Sequence, residues 1–192
     1  RSRVGHTRSE SAYARALAAY ETGELNSALD YLEETLALTP DHVNAWVLTA
    51  RVYANAGEFA HSEGALRRAL ALTPNDAGLW VHLAEVLYQA EAQGGALSAL
   101  RRAIELDPNH LKAIDGLSSM LFELARTQSS RVLWTESLTL LERYCALEPS
   151  NVPKRWQLAE RYARAGQVEA RIGVLRELVA LVPVDASAKH LL

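Results

Sequence analysis

The sequence predicts an all-α solenoid of about five helical hairpins plus a short C-terminal helix, and three observations predict it. Proline recurs at Pro40, Pro74, Pro108, Pro149 and Pro183, at intervals of 34, 34, 41 and 34 residues, which is a period with one insertion. Leucine stands eight residues before each proline (Leu32, Leu66, Leu100, Leu141, Leu175) and again two before (Leu38, Leu72, Leu106, Leu147, Leu181). A small residue stands twenty-four before four of them, at Ala16, Ala50, Ala84 and Ala159, with Ser118 as the counterpart in the inserted repeat.

The chemistry of these columns is that of paired helices. Leucines six apart, with apolar partners at steps of three and four, mark one face of a helix. A small residue lets two helix backbones approach. Gly23, Gly57 and Gly166, each seventeen before a proline, suit the positive φ of a helix C-terminus. Proline lacks a backbone donor and ends a helix or begins the connection after it. Cap-type residues follow: Asp41, Asn75 and Asp76, Asn109, Ser150 and Asn151, and Asp185.

In chain order, residues 1–8 read as an N-terminal tail. Hairpins follow at 9–42, 43–76, 77–110, 111–151 and 152–185, and 186–192 reads as a short helix or the start of a further repeat. The second and third hairpins carry Trp46 and Trp80, 34 residues apart. The fourth holds about seven extra residues between Leu121 and Trp134, which predicts a first helix prolonged by a turn and a polar loop near Thr127 to Ser130. The fifth drifts: Arg171 stands where alanine or serine is expected, and Trp156 is one place late.

Composition removes several classes of function. Of 192 residues 49% are hydrophobic and 22% charged, with a net charge of −3, so neither disorder nor nucleic-acid binding is favoured. The one cysteine, Cys145, cannot staple the chain. No apolar run approaches the ~18 residues of a membrane span. The first residues show no signal peptide and no initiator methionine, so the chain reads as processed or as a piece of something longer, compatible with cytoplasm or periplasm. No HExxH, CxxC, GxGxxG, P-loop or GxSxG pattern occurs, and the six histidines form no ligand spacing. The expectation is no catalytic site, metal or cofactor.

AWVLTARVYANAGEFAHSEGALRRALALTPND (Ala45 to Asp76) resembles the tetratricopeptide repeat almost end to end. LWVHLAEVLYQAEAQGGALSALRRAIELDPNH (Leu79 to His110) resembles it closely, with Glu91 where glycine is usual. The resemblance covers about 9–185. It implies a right-handed solenoid whose first helices line a concave groove. It maps that lining onto Tyr13, Leu17 and Tyr20; Asn44, Val47, Arg51 and Asn55; Val81, Glu85, Tyr88 and Gln89; Lys112, Asp115, Ser119 and Phe122; and Trp156, Glu160 and Arg164.

The function so implied is a protein–protein interaction scaffold that takes a peptide or protein segment in the groove, led by Tyr13, Tyr20, Tyr88, Phe122 and Trp156. Alternatives are a substrate-recognition or assembly arm of a larger enzyme or envelope-biogenesis complex, and a self-associating structural module. The lysine–asparagine clamp that chaperone-tail-binding relatives use for a terminal carboxylate has no counterpart here. Leu175, Leu178, Val179 and Leu181 are expected to form an apolar face that a sixth repeat, a partner or a second copy covers, which makes a homo-oligomer through the C-terminal end a further expectation.

Overall fold

The computed structural model describes residues 3–181, with side chains from residue 7 onward. Among them are ten helices and no strand: α1 (Arg3–Glu21), α2 (Leu25–Leu38), α3 (Val43–Asn55), α4 (Phe59–Leu72), α5 (Ala77–Gln89), α6 (Gln93–Leu106), α7 (Leu111–Gln128), α8 (Arg131–Leu147), α9 (Val152–Arg164) and α10 (Val168–Leu181). The helices pack in sequential pairs, α1 with α2 through α9 with α10. The chain divides into two compact units, Arg1–Asp107 and Pro108–Leu192. Pro183, Asp185 and the segment 186–192 lie outside the described residues.

Local chemistry explains the boundaries. Gly23, Gly57 and Gly166 have φ of 83°, 77° and 70°, and no atom stands within 4 Å of a Cβ built on any of them, so it is backbone conformation that favours glycine there. Glu91 takes the same position in the third hairpin at φ 60°. The N-caps fall on the expected Asp76 and Asn151, and one residue beyond the expected Asp41 and Asn109. His42 Nδ1 accepts from the Ala45 N–H (3.1 Å), Asp76 Oδ1 from Leu79 (3.2 Å), His110 Nδ1 from Ala113 (3.3 Å) and Asn151 Oδ1 from Lys154 (3.1 Å). His42 and His110 therefore work as caps.

The two leucine columns separate. Leu32, Leu66, Leu100, Leu141 and Leu175 are all buried, and so is the small-residue column from Ala16 to Ala159. Leu38, Leu72, Leu147 and Leu181 lie at the exposed helix ends. Ser62 shows how closely paired helices approach, since its hydroxyl donates across to the Ala50 carbonyl at 2.7 Å.

Three expectations need correction. Residues 3–8 are not a tail but the first turns of α1, held toward α2 by the Arg8–Glu34 pair at 3.5 Å. The insertion lengthens both helices of the fourth hairpin: α7 has 18 residues and α8 has 17, against 13 and 14 in the second and third hairpins. The polar loop shrinks to Ser129, at φ 51°, and Ser130, which caps α8. Finally, Leu175 and Leu178 are not an open face. Each is 1% exposed, within a cluster that includes Leu141, Leu158 and Tyr162.

Candidate functional site

In the first unit, α1, α3 and α5 border a cleft of about 200 Å³. Tyr20, Val47, Arg51 and Glu85 line it together, and Asn55 and Gln89 join them. Helical spacing accounts for this: Val47, Arg51 and Asn55 follow one another at steps of four on α3, as Glu85 and Gln89 do on α5, so each set shares a face. The Asn55 amide donates to the Tyr20 hydroxyl at 3.1 Å, leaving its own carbonyl oxygen free to accept. The Arg51 guanidinium lies over the Tyr20 ring, 4.8 Å from the centroid. Neither Arg51 nor Glu85 has an ion-pair partner among the described residues, so the cleft presents one cation, one anion and two amides around Val47 and an aromatic ring.

The other expected residues of this unit stand apart from the cleft. Tyr13 packs on His42, ring centroids 4.8 Å apart, and burial pushes its phenol pKa up against the opposing pull of Arg51. Leu17 is half-buried against the core cluster of the first hairpins. Val81 is 2% exposed and belongs to the core, a correction to its expected place in the groove. Val81 stands 34 residues after the cleft-lining Val47, so the same repeat position is in the cleft on α3 and in the core on α5. Tyr88 is 56% exposed, one helical step from the cleft-lining Gln89.

In the second unit the expected residues make internal contacts. Asp115 is ion-paired with Lys154. Phe122 packs on Trp134, centroids 5.1 Å apart, and has two guanidiniums near its ring, Arg161 at 4.4 Å and Arg164 at 5.6 Å. Trp156 and Glu160 line a separate cavity of about 350 Å³ with Arg171 and Leu175, and Glu160 pairs with Arg164 one turn on.

Two residues outside the expected lining stand out. Arg161 is 6% exposed, and its guanidinium donates to the Ser118 hydroxyl at 2.6 Å and the Ser137 hydroxyl at 3.2 Å. Burial pulls its pKa down, while Asp115, Glu123 and Glu160 push it back up. His82 lines the cleft of the first unit, and its Nδ1 is buried with no hydrogen-bond partner. Both have a sequence signal: His82 stands 34 residues after the core residue Leu48, and Arg161 falls in the column of Val52 and Val86, twelve residues past a proline. A polar residue in an apolar column marks each.

Paired helices of this length, closed by positive-φ turns and repeated along the chain, define a tetratricopeptide-repeat protein of all-α solenoid class. Solved structures agree on the fold. A crystal structure of MamA is 14% identical with a TM-score of 0.76, covering 94% of this chain and 94% of that one. YrrB, described as a TPR protein with an unusual peptide-binding site, is 20% identical with a TM-score of 0.66, covering 94% and 89%. Yeast Tom70 is 18% identical with a TM-score of 0.69, covering 96% of this chain and 38% of that one. No protein of curated function matches by sequence. The cytochrome c-type biogenesis protein H TPR domain matches residues 31–147, and the chain belongs to that family.

Proposed function

We propose that this interaction scaffold holds a polypeptide segment in the cleft bordered by α1, α3 and α5, as the recognition arm of a cytochrome c-type biogenesis assembly. The observation that carries the reading is the convergence of Tyr20, Arg51, Asn55, Glu85 and Gln89 around Val47. The Asn55 and Gln89 amides suit a peptide backbone, Arg51 and Glu85 suit charged side chains, and Tyr20 supplies rigid contact area at low entropic cost. The family's name points to the process, and the peptide-binding site of YrrB supports the mode. Among the described residues no cluster of His, Cys, Asp and Glu is placed to hold a metal ion, and no helix is long and apolar enough to cross a membrane.

Affinity capture from the native host with the tagged chain tests this. The expected catch is a cytochrome c-type biogenesis polypeptide. The Tyr20→Ala/Arg51→Ala/Asn55→Ala variant is expected to bind it at least ~30-fold more weakly, a loss of about 2 kcal/mol, with helicity unchanged. Equal capture by the variant would remove the cleft from the function.

A further inference from the structure

At the base of the long α7–α8 hairpin lies an open cavity of about 420 Å³. Three arginines line it, Arg126, Arg131 and Arg164, together with Ser129, Ser130 and the indole of Trp134, and none of its described lining residues is acidic. We propose that this cavity binds a carboxylate-bearing segment of a polypeptide partner, an Asp- or Glu-rich stretch that also carries an apolar side chain.

The charge is available. Arg131 has no ionic partner among the described residues. Arg126 and Arg164 pair with Glu123 and Glu160, about one turn away on their own helices, in exposed pairs of the weak surface kind, and Arg164 also lies 5.6 Å from the Phe122 ring centroid. A guanidinium presents its donors as a fork that fits a carboxylate, and three around one cavity outmatch those local pairs. The Trp134 Nε1–H is a buried donor with no partner. The α9 terminus also borders the cavity, and its Arg161, Tyr162 and Ala163 carbonyls accept from Ala165, Gln167 and Gly166, so the three guanidiniums supply the attraction there. The first turn of α8, capped by Ser130, adds the positive end of a helix.

The surroundings favour a peptide over a free anion. Arg131 and Thr135 also line an adjoining open strip along α8 with Val132, Glu136, Thr139 and Leu140, where the partner's apolar side chain rather than its carboxylates would lie, and Val132 is 76% exposed. A free phosphate has no use for such a strip, whereas a polypeptide segment engages both. That the ligand is a polypeptide rests on reading this chain as a holder of polypeptides; the anion chemistry does not.

The test uses the whole chain and fluorescein-labelled hexaglutamate, read by anisotropy at low ionic strength. Binding is expected, falling as salt rises, and Arg131→Gln/Arg164→Gln is expected to weaken it at least ~10-fold. Arg68→Gln/Arg176→Gln makes the same charge change elsewhere and is expected to alter it less than ~2-fold. Should Arg164→Gln lower the helical signal, the exposed Arg131→Gln alone carries the test, with a loss of ~3-fold or more expected. Equal losses in both double variants, equally tight binding of hexaglutamine, or binding of inorganic phosphate without hexaglutamate would each overturn the proposal. Hexaglutamate binding is expected to be unchanged in the Tyr20→Ala/Arg51→Ala/Asn55→Ala variant, so this proposal and the functional reading fail separately.

Discussion

His42 ends one hairpin and starts the next, and its ring does the work usually given to Asp, Asn or Ser. Its Nδ1 accepts the Ala45 N–H, one of the donors that a helix start leaves unbonded. His42→Ala is expected to cost about 1 kcal/mol in urea unfolding, and His42→Asn to restore it, because asparagine accepts at the same reach. Glu91 carries a strain of the opposite sign. It holds φ 60°, a region where a Cβ costs roughly 1–2 kcal/mol, in the place that Gly23 and Gly57 fill in the preceding hairpins. Glu91→Gly is therefore expected to stabilise the chain by about 1 kcal/mol, raising the urea midpoint at constant slope. An unchanged or lower midpoint would mean that the Glu91 side chain contributes more than its backbone loses.

Among the elements, the fourth hairpin differs most, and one side chain ties it to its neighbour. Arg161 reaches from α9 to Ser118 on α7 and Ser137 on α8, at the small-residue crossing that alanines and Ser62 serve elsewhere. Buried charges of this kind add more to geometry than to stability. Arg161→Met is expected to change stability by less than about 1 kcal/mol, and Arg161→Ala to cost about 2 kcal/mol through the space it empties. Equal large losses in both would show that the charge itself holds the three helices.

The repeat period made these elements legible because leucine, proline and small residues recur wherever helices must pair. Tyr20, Val47, Arg51 and Glu85 were legible for the same reason, since spacing of four places residues on one face. Val81 occupies the same repeat position as Val47, so the period alone does not separate a cleft residue on α3 from a core residue on α5. The lengthening of both helices at the insertion was hidden because Thr127 and Gln128 read as loop residues, while in the structure they continue α7 and Ser129 supplies the left-handed turn.

Within each compact unit, contacts are made mainly between sequential helices, and such neighbour-to-neighbour packing gives repeat proteins local rather than global cooperativity. The unit Arg1–Asp107 contains three complete hairpins and its own buried leucines. A fragment of residues 1–107 is expected to give a helical circular dichroism spectrum and a single urea transition, and Leu66→Ala within it to cost about 3 kcal/mol. A fragment without a cooperative transition would mean that the rest of the chain is needed. The joints between hairpins also carry a built-in gauge of opening. The Trp46 indole N–H donates to the Pro40 carbonyl at 2.9 Å and that of Trp80 to the Pro74 carbonyl at 3.0 Å, while at the Pro149 joint Arg155 donates at 2.7 Å in their place. An indole proton leaves for deuterium only when its bond opens, and each gives its own resonance. Two successive joints of one chain thus report separately how readily each opens, in a single spectrum and with no label added.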